Sequence, residues 1–116
     1  MANEEINKKI EELQVLGSHS QNFLLQKQSL QVELNEIANA LEETGKSDGE
    51  VYKIVSGVML KSERRLIEKD LNEKKKLIEM KISSIEKQES LLDVKAMEIR
   101  KEIDKSVSKG IKKGKK

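Results

Sequence analysis

His19 is the only imidazole in the chain, and there is no cysteine at all. A structural zinc site needs several converging nitrogen or thiolate ligands, so neither a zinc site nor a disulfide nor a Cys nucleophile can be assembled from this inventory. A catalytic dyad built on His19 would need a nucleophile and an orienting group in a water-excluding site. Its neighbours are Gly17, Ser18 and Ser20, in the weakest helical stretch of the first half, and His19 is read as a surface side chain close to Glu89. The carboxylates are numerous but alternate with lysine, as in Glu68-Lys69-Asp70 and Glu73-Lys74-Lys75-Lys76, which is the pattern of a solvated helix flank. Gly110 and Gly114 sit among lysines without the spacing of a phosphate loop. No catalytic residue, no metal ligand and no cofactor site is expected, and the chain is not read as an enzyme.

The elements that such side chains decorate must therefore do their work by shape. Of the 116 residues 38% are charged and 2% aromatic, with no Pro and no Trp, so aliphatic residues supply nearly all the burial and little is available to wall a pocket. No run approaches the roughly 20 apolar residues of a membrane span, and neither a signal peptide nor an anchor is expected from the opening Met1-Ala2-Asn3-Glu4-Glu5. A reducing cytoplasm is the expected compartment. The net charge of +2 hides an asymmetry: residues 105–116 hold six lysines and no acid, leaving residues 1–104 at −4. A nucleic-acid-binding body would carry a basic face, and this one does not.

Ile6, Leu13, Leu16, Phe23, Leu30, Leu34, Ile37 and Leu41 follow an alternating spacing of three and four that also passes through Lys9, Ser20 and Lys27. That is the 3.5-residue repeat of a coiled coil. A second seam runs Ile67, Leu71, Lys74, Ile78, Ile82, Ile85, Glu89, Leu92, Ala96, Ile99 and Ile103, with an extra residue between Ile78 and Ile82 that shifts its phase. Ser62 is the expected N-cap, with Glu63 in the first turn. The seams are 36 and 37 residues long, or about 54 Å each at ~1.5 Å per residue, so the helices are expected to fold back antiparallel. Residues whose numbers sum to about 109 then face each other, which places Ser20 and Glu89 in one polar layer. Gly17 interrupts the first helix, either as a tolerated poor residue or as a point of useful flexibility.

Between the seams, Glu43-Thr44-Gly45-Lys46-Ser47-Asp48-Gly49 is turn-rich, and Val51-Tyr52-Lys53-Ile54-Val55, Ser56-Gly57 and Val58-Met59-Leu60 read as two short strands around a tight turn. Alternation puts Tyr52 and Ile54 on one face, and Val51 and Val55 on the other. Both faces are partly apolar, and a lone hairpin is marginal in water, so these faces require partners. At the open ends of the helices, Ile6, Ile10, Leu13, Val15 and Leu16 meet Met97, Ile99, Ile103, Val107 and Ile111. Most of this cluster is coiled-coil core, and where the pair frays it becomes an adaptable apolar grip.

The fold class is thus mainly α: an antiparallel two-helix coiled coil with a short β-hairpin between the helices. The domain spans residues 1–108, with a helix over 5–43, the hairpin over 50–61 and a helix over 63–108, followed by a basic disordered tail at 109–116. Helix, hairpin and matched helix, and above all Val51-Tyr52-Lys53-Ile54-Val55-Ser56-Gly57-Val58-Met59-Leu60-Lys61, resemble a prefoldin subunit of the beta class, archaeal in type. Weaker agreement comes from Gln28, from Glu33-Leu34-Asn35-Glu36, and from Ile82 and Ile85 before Glu86-Lys87-Gln88-Glu89.

The resemblance implies an ATP-independent holdase. Val51, Tyr52, Ile54, Val55, Val58, Met59 and Leu60 would join alpha-class and other beta-class subunits in a hetero-hexamer. Ile6, Ile10, Leu13, Val15, Leu16, Met97, Ile99, Ile103 and Val107 would hold non-native polypeptides at the distal coil ends, for delivery to a group II chaperonin. Ser56 in the turn, Gly17 and the lysine-rich tail depart from the family pattern. The competing reading is a structural or adaptor coiled coil without clients. A third, nucleic-acid binding by the tail, predicts a steep salt dependence and lacks aromatic residues for base stacking. No membrane association is expected.

Overall fold

The computed structural model describes residues 2–47 and 49–114, with side chains described for 3–47 and 49–109. The order of elements is α1 (Ala2–Lys46), β1 (Val51–Val55), β2 (Val58–Ser62) and α2 (Arg64–Gly114). The architecture is the expected one, two long helices with a two-stranded antiparallel sheet between them. Neither helix contains proline, and Gly17 leaves α1 helical, with open space around the position a Cβ would take.

The chain divides into two compact units, residues 27–84 in one and residues 1–26 with 85–116 in the other. Within each, a stretch of α1 packs on a stretch of α2. In the unit holding both chain ends, Lys9 pairs with Glu102 at 3.5 Å, and Ser20 lines the same small cavity as Leu92 and Ala96. Later residues of α1 thus meet earlier residues of α2, as an antiparallel pair requires. The residue numbers of the Lys9–Glu102 pair sum to 111 and those of Ser20 and Leu92 to 112, within three of the register read from the seams.

The core is a narrow stripe. Ile78, Ile85 and Ile99 are the buried hydrophobic side chains, and no polar side chain is buried among the described residues. Every expected seam residue of α1, from Ile6 through Lys9, Ser20 and Lys27 to Leu41, is half-buried, and apart from Ala40 the residues between them are exposed. A seam of this kind removes about one side chain in three or four from water, which is why charged residues can occupy most of both helices.

In α2 the seam departs from expectation at one turn. Lys75, rather than Lys74, is half-buried and Lys74 is exposed. The two successive four-residue steps therefore run Ile67 to Leu71 to Lys75, one turn before the expected phase shift, and Ile78 follows in regular heptad spacing. Lysine can fill either position because its methylene stem packs while its ammonium reaches solvent, so residue type alone does not separate the two. The start of α2 also moves by one residue. Ser62 belongs to β2, and the Glu63 carbonyl accepts the first helical bonds from Leu66 and Ile67, both at 3.1 Å. At the other end the backbone is helical through Gly114, beyond the boundary expected at 108, since neither proline nor a second turn signal stops it. Lys115 and Lys116, the end of the expected tail, lie outside the described residues.

Candidate assembly and client-binding surfaces

The hairpin register is Val51↔Ser62, Tyr52↔Lys61, Lys53↔Leu60, Ile54↔Met59 and Val55↔Val58. Directly opposed residues share a face. One face therefore carries Tyr52, Ile54, Met59 and Lys61, and the other carries Val51, Lys53, Val55, Val58, Leu60 and Ser62. The expected separation of Tyr52 and Ile54 from Val51 and Val55 holds.

Ser56 and Gly57 form the two-residue connection, with φ of 50° and 79°. Two successive left-handed residues make a type I′ turn, whose twist matches that of the flanking strands. Glycine adopts this conformation freely, and Ser56 adopts it at a steric cost.

Tyr52, Ile54, Val55, Val58, Met59 and Leu60 are all exposed, and only Val51 is half-buried. Six large apolar side chains on ten strand residues, on both faces, form a surface that water does not favour.

The root of the hairpin is held by polar contacts. Tyr52 Oη donates to Glu50 Oε2, and Lys61 Nζ pairs with Glu50 Oε1 at 2.9 Å. The hydrogen bond from Tyr52, and then that from Lys61, hold the Glu50 carboxyl below its ordinary pKa, while Glu50 pushes the Tyr52 hydroxyl above its own. On the other face Lys53 Nζ reaches Asp70 Oδ2 of α2 at 3.2 Å. Arg64, the first residue of α2, donates through Nη2 to the Gly45 carbonyl at 2.6 Å and through Nη1 to the Ser47 carbonyl at 3.3 Å, and its Nε bonds Glu68 at 3.0 Å. A guanidinium on carbonyls at the C-terminal end of α1 satisfies groups the helix leaves unpaired and suits the helix dipole. Sequence reasoning missed Arg64, Asp70 and Glu50, because their partners lie two to nineteen residues away and no periodicity links them.

At the open ends the candidate residues separate into two groups. Ile99 is buried, and Ile6, Leu13, Leu16 and Ile103 are half-buried in the seam. Ile10, Val15, Met97 and Val107 are exposed. The Ile111 side chain lies outside the described residues. Val15 and Leu16 line a shallow groove with Lys8, Glu11, Glu12 and Lys95. His19 is exposed and borders a second groove with Phe23, Gln88, Leu91, Leu92 and Lys95. Among the described residues no three or more His, Cys, Asp or Glu side chains converge as a metal site, and no helix is long and apolar enough to cross a membrane.

The family profile described as prefoldin subunit matches residues 7–110 of this chain. The chain belongs to the prefoldin family. It is 33% identical to the prefoldin subunit beta of Saccharolobus islandicus over 107 residues, covering 90% of this chain and 85% of the relative. It is 37% identical to the prefoldin subunit beta of Pyrobaculum islandicum over 91 residues, 77% of this chain and 73% of the relative. The crystal structure of the prefoldin beta subunit from Thermococcus strain KS-1 superposes with a TM-score of 0.83 at 28% identity, over 88% of this chain and 91% of that one. Membership in prefoldin implies a chaperone-type function and association with other prefoldin subunits. Prefoldins are known as chaperones rather than as enzymes.

Proposed function

We propose that this prefoldin chain is a beta-class subunit that joins alpha-class and other beta-class subunits through its hairpin into a hetero-hexamer. In that assembly it holds non-native polypeptides without ATP at the open ends of its helices, and passes them to a group II chaperonin in the cytoplasm. The observation that carries the reading is the hairpin: six exposed apolar side chains on a two-stranded sheet that is marginal by itself. A coiled coil used only as a spacer has no need of such a surface. The exposed Ile10, Val15, Met97 and Val107 beside the half-buried seam supply the adaptable apolar contacts for clients. Residues 1–108 are assigned to this unit, and the basic residues 109–116 to neither surface.

The test is native mass by light scattering, for the chain alone and mixed with an alpha-class prefoldin subunit, followed by suppression of client aggregation without nucleotide. A discrete mixed hexamer that suppresses aggregation, and loses that activity when Val15, Met97 and Val107 become serine, is the expected result. A stable homodimer that ignores the alpha-class subunit would support the adaptor reading instead.

A further inference from the structure

The two faces of the hairpin are not equally free. On the face of Val51, Lys53, Val55, Val58, Leu60 and Ser62, both root residues are half-buried, and Lys53 is joined to Asp70 of α2 at 3.2 Å. Nearer the turn, Val55 and Val58 are 44% and 56% exposed. On the opposite face Ile54 and Met59 are 68% and 63% exposed, and the polar network of Glu50, Tyr52 and Lys61 closes within the hairpin rather than onto a helix. Val51 and Ser62 are the half-buried strand residues, so packing of the hairpin is confined to its root, and beyond the root the contact from strand to helix is the Lys53–Asp70 pair.

We propose that the Lys53–Asp70 ion pair is a positioning device that decides which hairpin face is offered to a partner: it draws one face toward α2 and leaves Tyr52, Ile54 and Met59 as the docking face for the hairpin of another prefoldin subunit. The inference rests on the assembly function proposed above. Both partners of the pair are about half exposed, and pairs of that kind contribute little to folding. They still bias an orientation that packing fixes only at the root. A bias of about 3-fold between seatings is within reach of such a pair.

The chain has no native cysteine, so Met59→Cys and Leu60→Cys report on the two faces separately. Each is mixed with an alpha-class prefoldin subunit, and the rate of thiol alkylation is compared before and after mixing, with native mass measured alongside. The expected result is that assembly protects the thiol of Met59→Cys at least ~3-fold more than that of Leu60→Cys. Asp70→Asn should narrow that difference and weaken assembly by about 3-fold, and the charge-reversed pair Lys53→Asp with Asp70→Lys should restore both. A purely structural role for Asp70 would not be rescued by reversal. Equal protection of the two positions, or a protection ratio unmoved by Asp70→Asn, overturns the proposal while leaving hairpin assembly standing. If the parent chain forms no mixed particle, the assembly reading fails and this inference falls with it.

Discussion

Replacing Ile54 by lysine should separate the proposed assembly from folding. Ile54 is 68% exposed and opposes Met59 on the face whose polar contacts close within the hairpin. In the isolated chain the substitution removes almost no burial, and the change in stability should stay within about 0.5 kcal/mol, as for other surface positions. In an assembled particle the balance differs. Covering the exposed two-thirds of an isoleucine side chain contributes roughly 1–2 kcal/mol, taking full burial as about 1.5–3 kcal/mol. An unpaired ammonium in the same place costs several kcal/mol more. The two together reach about 4–5 kcal/mol, or roughly a thousandfold in affinity per contact. Light scattering of Ile54→Lys with an alpha-class subunit should show separate components at concentrations where the parent forms a mixed particle, while the far-UV spectrum and melting temperature match the parent. Ile54→Ala, which loses only the apolar part, should weaken assembly by roughly tenfold and not abolish it. A mixed particle of unchanged mass and affinity for Ile54→Lys would refute the argument that this face is buried on assembly.

At the turn, Gly57→Ala places a Cβ at φ 79° and should destabilise the hairpin by about 1–2 kcal/mol, whereas Ser56→Gly or Ser56→Asn relieves the strain at φ 50° and should stabilise it by up to ~1 kcal/mol; cross-strand NMR contacts between Val55 and Val58 report both, and a neutral Gly57→Ala would contradict the turn assignment. Arg64→Ala removes the donors to the Gly45 and Ser47 carbonyls, and because the side chain is partly exposed the loss should be at most ~1 kcal/mol, seen as faster amide exchange around residues 44–47 with little change in the urea midpoint. Glu50 has a depressed folded pKa, so its contribution at the hairpin root is complete above the unfolded carboxylate range and is lost as pH falls through the folded value; Tyr52 has a raised one, so its contribution is complete below the ordinary tyrosine range and is lost as pH rises through the folded value. Glu50→Gln should return the Tyr52 titration toward its ordinary value, and an unchanged Tyr52 titration curve would contradict the contact.

The helices were legible because a coiled coil writes its packing as a one-dimensional repeat. All eleven seam positions of α1 are half-buried, including Lys9, Ser20 and Lys27, which hydrophobicity alone would have placed outside. The repeat fails where lysines are adjacent: Lys74 and Lys75 are alike in type and the structure half-buries the second. The hairpin was legible through its β-branched run and its Ser-Gly turn. Its seating was not, because Lys53 with Asp70 and Arg64 with Gly45 are long-range polar contacts between common residues.

Burial limits what the two surfaces can be. A seam in which, among the described residues, only Ile78, Ile85 and Ile99 are buried has little apolar area in reserve, so seam residues at the open ends, such as Ile6 and Ile103, cannot be given to a client without loosening the helix pair locally. The exposed Ile10, Val15, Met97 and Val107 carry less of that penalty, because roughly half of each side chain is already in water. A client contact that begins on these four and recruits the seam only by local opening would thus leave the buried Ile99 in place. The hairpin lies outside this trade: beyond the half-buried Val51 its apolar side chains are exposed, and covering them by a partner does not require the seam to open. On the proposed function, assembly at one surface and client capture at the other would then draw on separate sets of residues.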